Sequence, residues 1–194
     1  MGGMQIVPVH EGEGDRAFDT LVLAFAADPV ERWLYPEAHQ YLTHFPAFLS
    51  AFAGRAFTEQ TVWRLGAYSG VALWLPPHVA VDGDAVVAVL TGTVAPEKHA
   101  DTFDVLGQMD VAHPKDPHWY LPWFGVDPIV QGQGLGSKLM EHCLTVVDAD
   151  HLPAYLDSPN PRKITFYERH GFVVTGKAQA GACPPVISML RAAR

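Results

Sequence analysis

The amino-acid sequence predicts a mixed α/β fold in which helices flank a sheet. Two features indicate it. A pair of short apolar segments around the turn GAYSG reads as a β-hairpin, and strand-like and helix-like segments alternate from His118 onward. The length of 194 residues and the apolar fraction of 48% suit one domain over residues 1–194 with a sizeable core.

The first half of the chain is predicted to contain a strand and two helical regions before the hairpin. Asp15 precedes apolar residues at helical spacing, so it is the expected helix cap. Pro36 and Pro46 are expected to interrupt the second helical region, because proline lacks the N–H that a helix interior needs. The predicted elements are a strand at Met4–Val9, a helix at Asp15–Ala27, a helical region at 30–54 and hairpin strands at Thr61–Leu65 and Val71–Leu75.

The segment from residue 78 to 115 is ambiguous from its residues alone. Its first piece, DAVVAVLTGTV, is rich in β-branched residues, which favours a strand. Its second piece, PEKHADTFDVLGQMDVAH, has helical spacing and a proline near its start, which favours a helix. Periodicity does not decide between strand and helix for the first piece.

In the second half, an aromatic strand leads into a glycine-rich loop and then into the best-defined amphipathic helix of the chain. Leu135, Leu139 and Cys143 share the apolar face of this helix, and Lys138 lies opposite. Gly171 stands where a glycine typically ends a helix. The predicted elements are a strand at His118–Val126, a helix at Gly134–Val147, a strand at Ala154–Asp157, a helix ending at His170, and strands at Phe172–Thr175 and Val186–Leu190.

Composition and charge argue against several classes of protein. The net charge of −8 argues against nucleic-acid binding, which needs a basic face for phosphate contacts. No stretch approaches the roughly 18–20 apolar residues of a membrane span, and MGGMQIVPVH lacks the layout of a signal peptide. A cytoplasmic protein without membrane contact is therefore expected. The histidines show neither HxxxH nor HExxH spacing, so no metal site is expected.

Three glycines, Gly132, Gly134 and Gly136, stand where the amphipathic helix begins. A helix start offers unpaired N–H groups, and glycines let the backbone curl so that several of them point at one anion. A GxxxxGK[ST] phosphate loop and a GxGxxG dinucleotide fingerprint starting at Gly132 both require glycine at position 137, which is Ser137. The pattern that remains is Gln-x-x-Gly-x-Gly, which begins at Gln131.

Together with the preceding Val126-Asp127-Pro128, this pattern resembles the acetyl-CoA loop of the GNAT superfamily of N-acetyltransferases. The resemblance implies the superfamily's fold, a central, mostly antiparallel twisted sheet flanked by helices. It also implies that loop amides bind the diphosphate of coenzyme A and that the strand end pairs with the pantetheine arm. The residues implied in cofactor binding are Phe124, Gly125, Val126, Gln131, Gly132, Gln133, Gly134, Leu135, Gly136 and Ser137.

A second motif, SPNPRKITFYERHGF, resembles the superfamily segment in which an asparagine precedes a tyrosine by seven residues, followed by Glu-x-x-Gly-Phe. By this resemblance Asn160 contacts the pantetheine or phosphate arm, although Asn160 is also suited to cap the following helix. Tyr167 is implied to stand beside the thioester sulfur and to give a proton to the departing thiolate. The alternative for Tyr167 is a packing role in the core.

The segments FAADPVERWL, HPKDPHWYL and TFYERHGF are similar to the puromycin N-acetyltransferase branch of the superfamily. This narrower resemblance covers most of the chain but is patchy between Pro36 and His113. It implies that residues 78–115 form a helical insertion before the fourth main strand, which overrides the strand interpretation of VVAVL.

These resemblances imply an acetyl-CoA-dependent N-acetyltransferase. It would act on a primary amine of a small molecule by direct transfer in a ternary complex. A non-catalytic acyl-CoA-binding sensor is the alternative, because the strand HWYLPWFGV lacks the carboxylate that many relatives carry there. A main-chain N–H near Val126 is expected to hold the acetyl carbonyl oxygen.

The base that takes the proton of the amine is left open by the sequence. His118 and Tyr120 are the candidates, and alternation along the strand assigns them to one face with Pro122 and Phe124. Further options are His113, Asp110 and ordered water.

The segment ERWLYPE places Trp33 and Tyr35 between Glu31 and Glu37. Aromatic faces beside carboxylates suit an amine with an apolar or planar body, so Trp33 and Tyr35 are predicted substrate residues. Trp123 is a third. The sequence does not give the oligomeric state, although an exposed sheet edge leaves a homodimer open.

Overall fold

The computed structural model describes residues 4–194 and shows, within them, one seven-stranded sheet with eight α-helices. The strands are β1 (Ile6–Pro8), β2 (Val62–Leu65), β3 (Gly70–Leu75), β4 (Trp119–Val126), β5 (Ala154–Ser158), β6 (Val173–Ala178) and β7 (Val186–Arg191). The helices are α1 (Gly14–Phe25), α2 (Pro29–Leu34), α3 (Ala38–Ala53), α4 (Arg55–Thr58), α5 (Gly83–Thr93), α6 (His99–Ala112), α7 (Leu135–Ala149) and α8 (Ile164–Arg169).

The sheet has the strand order β1-β2-β3-β4-β5-β7-β6, and helices cover both of its faces. Only the β4–β5 pair is parallel; the other neighbouring strands are antiparallel. The mixed α/β class and the mostly antiparallel sheet predicted from the sequence are confirmed. The larger core packs α1, α3, α5 and α6 against one face, and α7 and α8 cover the other.

The predicted strands and the β2–β3 hairpin are confirmed, and two details of the early helices are corrected. Asp15 lies in the first turn of α1 and does not cap it, since Glu13 occupies the cap position without a side-chain hydrogen bond. Pro46 lies inside α3 and does not interrupt it. The carbonyl that proline leaves unpaired is that of Leu42, whose side chain is exposed, so solvent can reach this turn.

Residues 83–112 form the helices α5 and α6, so the strand interpretation of VVAVL is wrong and the helical insertion implied by the resemblance is confirmed. Asp82 caps α5 by accepting a hydrogen bond from the N–H of Ala85 at 3.0 Å. Val86 and Leu90, four residues apart, are both buried on its inner side. The cap and the helical spacing of the buried residues therefore outweigh the β propensity of the segment.

Strand β4 contains a β-bulge between Tyr120 and Trp123. Leu73 pairs with Trp123 but Leu75 pairs with Tyr120, so β4 has one residue more than β3 over this stretch. Tyr120 and Trp123 consequently face the same core, while Phe124 packs on the other side of the sheet. The predicted alternation that placed Tyr120 and Phe124 on one face is therefore wrong beyond the bulge.

The bulge also separates β4 from β5. Of the described residues of β4, only Trp119 and Tyr120 pair with β5, and the strand continues to Val126 without a partner on that edge. Pro122 lies at this point and has no N–H to give to a ladder. The two strands thus diverge, and the free edge of β4 faces the gap.

Within residues 4–194, no helix combines the length and apolar composition that crossing a membrane requires. The same residues contain no cluster of three or more histidine, cysteine, aspartate or glutamate side chains suited to hold a metal ion.

Candidate active site

A cleft of about 500 Å³ opens between the end of β4, the start of α7 and the start of α8. We call it the glycine-loop cleft, and Gly132, Gly134, Asn160 and Tyr167 mark its extent. The structure brings nearly all the predicted cofactor residues to it, with Gln133 outside its lining. The predicted residues that line it are Phe124, Gly125, Val126, Gln131, Gly132, Gly134, Leu135, Gly136, Ser137, Asn160 and Tyr167.

The glycine loop presents a run of free main-chain donors. Gly132 and Gly134 both have φ of +76°, a left-handed conformation that favours glycine. Within residues 4–194, the N–H groups from Gly132 to Ser137 have no hydrogen-bond partner, and the first bond into α7 runs from Lys138 N–H to the carbonyl of Gly134. These donors stand at the positive end of the α7 dipole, so the loop is built to bind an anion.

Side chains around the loop add to this anion site. Gln131 turns inward, its Nε2 donating to the carbonyl of Val126 at 2.8 Å, which ties the loop to the end of β4. Arg162, Lys163 and Arg169 also line the cleft and bring positive charge to a chain of net charge −8. Sequence reasoning missed them as site residues, although they stand in the motif PRKITFYER beside the predicted tyrosine.

Gly125 is required at the end of β4 for packing. A Cβ at this position would lie 2.6 Å from the Cβ of Ala24, so only glycine lets α1 approach the strand this closely. Ala24 and Phe25 also line the glycine-loop cleft, so this close contact forms part of its wall.

Tyr167, on α8, lines the glycine-loop cleft with its ring held edge-on against Phe166 and Phe172. Burial and, to a smaller extent, the nearby Asp28 raise the pKa of its hydroxyl, so Tyr167 keeps its proton at neutral pH. Asn160 accepts a hydrogen bond from the N–H of Arg162 at 3.1 Å and also lines the cleft. The capping role is therefore confirmed, and contact with the cofactor arm stays a prediction that the position of Asn160 in the cleft allows.

Asp28 is a cleft residue that the sequence marked only as a helix boundary. Its carboxylate caps α2 by accepting from the N–H of Val30 at 3.0 Å, and its side chain is buried. Burial raises its pKa to about 6, partly opposed by the hydrogen bonds from the main-chain N–H groups of Val30 and Glu31.

A second space, the inner cavity, lies on the other side of the β4–β5 gap. It has a volume of about 70 Å³ and meets the glycine-loop cleft at Pro159, which lines both. Glu31, Trp123 and Asp157 line it among mainly apolar side chains contributed by α2, α3, α5 and α6. The predicted substrate residue Trp123 thus lines the inner cavity but not the glycine-loop cleft.

Glu31 is the unusual group of the inner cavity. Its side chain is 2% exposed, and its Oε2 is buried with no hydrogen-bond partner among the described residues. Burial, and secondarily the charge of Asp28, raise the pKa of Glu31 well above its ordinary value. The indole N–H of Trp123 is likewise buried and unpaired. Both atoms are polar groups that a ligand can satisfy.

Asp157 supplies a second carboxylate at the inner cavity. It accepts hydrogen bonds from Ser188 Oγ at 2.7 Å, from Tyr155 OH at 2.9 Å and from Tyr120 OH at 3.4 Å. Burial raises its pKa to about 6 against the lowering effect of these bonds. The sequence did not reveal Asp157 as a site residue, because two of its three partners, Tyr120 on β4 and Ser188 on β7, are distant in the chain.

A third space, the outer chamber, has a volume of about 540 Å³ and adjoins the inner cavity at Tyr120 and Asp157. His118 lines the outer chamber and neither of the other two spaces. Its Nε2 lies 2.9 Å from Nε2 of His113, and burial, followed by the charge of His118, lowers the pKa of His113 to about 4. The structure therefore joins Tyr120 to the inner cavity but keeps His118 further out.

Trp33 and Tyr35 line none of the three spaces. Tyr35 is 1% exposed in the core, where its hydroxyl is 2.9 Å from Oγ1 of Thr93. The ring of Trp33 instead packs under the Lys98 ammonium, 5.3 Å from the ring centroid. In the segment ERWLYPE, Glu31 is the residue that lines the inner cavity. The side chains of Trp33 and Tyr35 point away from this cavity.

The model of the acetyltransferase (GNAT) family matches residues 35–172 of the chain. This range includes the glycine loop, Tyr167 and the helical insertion.

Named relatives are N-acetyltransferases. An uncharacterized N-acetyltransferase of Schizosaccharomyces pombe is 27% identical over 172 residues, covering 81% of this chain and 70% of the relative. The peptidyl-lysine N-acetyltransferase YjaB of Salmonella typhimurium is 41% identical over 54 residues, 28% of this chain and 36% of YjaB. The 5-NmdU N-acetyltransferase of Pseudomonas phage PaMx11 is 34% identical over 65 residues, 34% of this chain and 46% of the phage protein.

Solved structures share the fold over nearly the whole chain. A structure described as histone acetyltransferase HPA2 and related acetyltransferase, from Corynebacterium glutamicum, has a TM-score of 0.69 at 23% identity, covering 99% of this chain and 97% of that one. Arylalkylamine N-acetyltransferase 2 of Aedes aegypti also has a TM-score of 0.69, at 14% identity, covering 98% of this chain and 99% of that one.

Proposed function

The chain belongs to the acetyltransferase (GNAT) family, and we propose that it moves an acetyl group from acetyl-CoA to a primary amine of a small molecule, directly, in a ternary complex. The family and the named relatives make the chain an N-acetyltransferase. One structural feature supports direct transfer to a small amine. An anion-binding cleft and a carboxylate-lined cavity share Pro159 as a lining residue, at the end of β5, whose pairing with β4 stops at Tyr155.

The residues of the glycine-loop cleft fit coenzyme A. Free amides from Gly132 to Ser137, with Arg162 and Lys163 nearby, suit its diphosphate. The unpartnered edge of β4 suits an extended arm that carries amide groups, because such an arm can add to the sheet as a strand does. When bound, acetyl-CoA supplies an acetyl group on sulfur, so that a carbon–sulfur bond breaks as a carbon–nitrogen bond forms.

Tyr167 is the proposed acid. The raised pKa of Tyr167 keeps its hydroxyl protonated at neutral pH. The hydroxyl therefore has a proton to give as negative charge develops on the departing sulfur, whose thiol has an ordinary pKa of about 8.5. Its place in the glycine-loop cleft supports this role. The N–H groups proposed to hold the acetyl oxygen are those of Leu121 and Trp123, on either side of Pro122 in the bulge of β4. They lie three to five residues before Val126, which the sequence indicated for this role.

Asp157, acting with Tyr120, is the proposed route for the proton that leaves the amine. Tyr120 donates to Asp157, so the phenol oxygen can accept a proton from the amine while its own proton moves to the carboxylate. The pKa of about 6 leaves Asp157 ionised at neutral pH. His118 faces the outer chamber and is the less direct candidate.

The arrangement of the inner cavity removes the reason for considering a non-catalytic acyl-CoA sensor. It was suggested by the lack of a carboxylate in HWYLPWFGV, and the structure supplies Glu31 and Asp157 at the inner cavity instead. Binding of acetyl-CoA without turnover of any amine would restore it.

The experiment that tests the proposed function measures thiol release and thermal stability. Acetyl-CoA at a hundred times its Kd is expected to stabilise the folded chain by about 2.7 kcal/mol, seen as a higher Tm. Thiol release should then saturate with at least one member of a panel containing puromycin, hexylamine, spermidine and a lysine peptide. An unchanged Tm, together with no thiol release, would contradict the proposal.

Four expectations from the sequence belong to this proposal. We propose that one domain spans residues 1–194 and that the protein is cytoplasmic. We also propose kinship to the puromycin N-acetyltransferase branch, which acetylation of puromycin in the panel would support.

The fourth expectation is a homodimer. Val173 and Val174 are exposed on β6, the last strand of the sheet, where a second copy could add. Light scattering measures the mass of the particle.

A further inference from the structure

The inner cavity and the outer chamber adjoin each other. They share five lining residues, which are Phe52, Leu106, Met109, Tyr120 and Asp157. The inner cavity is the end that reaches the glycine-loop cleft. Because the inner cavity has a volume of only about 70 Å³, a ligand whose body occupies the outer chamber can place only a small terminal group there.

The two ends of this path differ in chemistry. The inner end holds the buried Oε2 of Glu31, which has no hydrogen-bond partner among the described residues, beside the apolar side chains of Val30, Leu34 and Phe48. Burial raises the pKa of Glu31 and favours its neutral form, whereas a bound cation would stabilise its ionised form. An ammonium is both a hydrogen-bond donor and a counter-charge, and it satisfies this oxygen as no apolar group can.

The outer chamber is mainly apolar. Its walls include Pro77, Val79, Val86 and Val87, and its volume of about 540 Å³ falls in the range of about 300–1,000 Å³ that is typical of small-molecule sites. Its exposed acidic residue, Asp110, lies 3.9 Å from the ammonium of Lys115 and is thus already paired with a cation.

The helical insertion builds most of this chamber. Lining residues come from the segment 76–81 before α5, from α5 itself and from α6, and only a few come from the rest of the sheet and helices. The insertion thus supplies the walls for the body of the acceptor, whereas α2 supplies the carboxylate for its amine.

We propose, resting on the function above, that the acceptor is a primary amine with a single cationic group on an elongated apolar body. The ammonium pairs with Glu31 in the inner cavity, and the body occupies the outer chamber formed by the insertion. Polycations carry further charged groups, which the mainly apolar walls of this chamber do not favour, and a lysine side chain joins a polar main chain where this acceptor continues as an apolar body.

The wild-type chain tests the proposal without any substitution. In the series butylamine, pentylamine and hexylamine, KM should fall about fourfold for each added CH₂, because each buries a further methylene in the chamber. Hexylamine should bind at least tenfold more tightly than 1-hexanol, measured by calorimetry with coenzyme A present. A KM independent of chain length, or equal binding of the alcohol, would overturn the proposal.

Two matched pairs of variants separate the two ends. Glu31→Gln should abolish the preference for hexylamine over 1-hexanol and leave the Kd of acetyl-CoA unchanged, while Glu37→Gln, at an exposed position of the same segment, should change neither. Val87→Trp, which fills the outer chamber from a half-exposed position, should remove the chain-length dependence. Val111→Trp, on the exposed side of α6, should not.

The outcomes also separate this proposal from the function on which it rests. Thiol release with spermidine or a lysine peptide but not with hexylamine would overturn the acceptor class and leave the transferase standing. No thiol release with any amine, and no rise of Tm with acetyl-CoA, would remove both.

Discussion

The glycine-loop cleft and the inner cavity recognise their ligands with different parts of the chain. The cleft uses main-chain N–H groups between Gly132 and Ser137, held by backbone dihedral angles. The inner cavity uses side chains, chiefly Glu31 and Asp157, held by packing among several elements. Binding of coenzyme A in the cleft should therefore depend most on the backbone of the glycine loop, whereas binding of the acceptor in the cavity should depend most on side chains.

The largest expected effect is at Tyr167, a side chain that lines the glycine-loop cleft. Tyr167→Phe removes the proposed acid while keeping the ring, so kcat should fall about a hundredfold or more with the Kd of acetyl-CoA unchanged. Tyr35→Phe, at a buried tyrosine outside all three spaces, is the matched control and should keep kcat. Equal rates in wild type and Tyr167→Phe would remove Tyr167 from the chemistry.

Asp157→Asn tests the side-chain region. It should lower kcat about tenfold or more, because an amide cannot take the proton of the amine. In the wild type, a base with a pKa of about 6 works only when ionised, so kcat/KM should fall as the pH drops below about 6. Asp157→Asn should lose this acid limb. If the limb persists in the variant, the titrating group is another one, such as Asp28, whose pKa is also about 6.

Gly134→Ala tests the backbone region. Its φ of +76° is left-handed, so a Cβ costs about 1–2 kcal/mol although it would meet no atom within 4 Å. Acetyl-CoA should bind about tenfold more weakly, as calorimetry would show. Gly136→Ala is the control in the same loop, because its Cβ would make only ordinary contacts at 3.5 Å and its φ is not left-handed. Equal losses in both variants would contradict a role for the left-handed backbone.

The smallest effect is expected at Trp33. Because its ring packs against Lys98 and lines none of the three spaces, Trp33→Phe should leave the KM of the acceptor within about twofold of wild type. A large rise in KM would show that Trp33 contacts the acceptor and would contradict binding of the acceptor in the inner cavity at Glu31.

The two regions also differ in how far the sequence predicts them. The glycine loop was predictable, since a left-handed backbone demands glycine at Gly132 and Gly134, and this leaves a visible pattern. The helical state of residues 83–93 followed from a resemblance, because β-branched residues obscured it. The bulge in β4 was not predictable from alternation, and it decides which side chains share a face.

The acceptor side escaped prediction for a physical reason. Asp157 gains its role from hydroxyls of Tyr120 and Ser188, which lie more than thirty residues away in either direction. Glu31 stands in a helical turn with Trp33 and Tyr35, and only tertiary packing decides which of the three faces the cavity. Such assemblies depend on long-range contacts that carry no local signature.

A crystal structure with coenzyme A bound tests the central claim most directly. The diphosphate should lie against the N–H groups from Gly132 to Ser137, and the arm should run along the free edge of β4 so that the sulfur lies near Tyr167 and Pro159. A diphosphate bound elsewhere, or a sulfur directed away from Pro159, would contradict the claim that the two regions meet there for acetyl transfer.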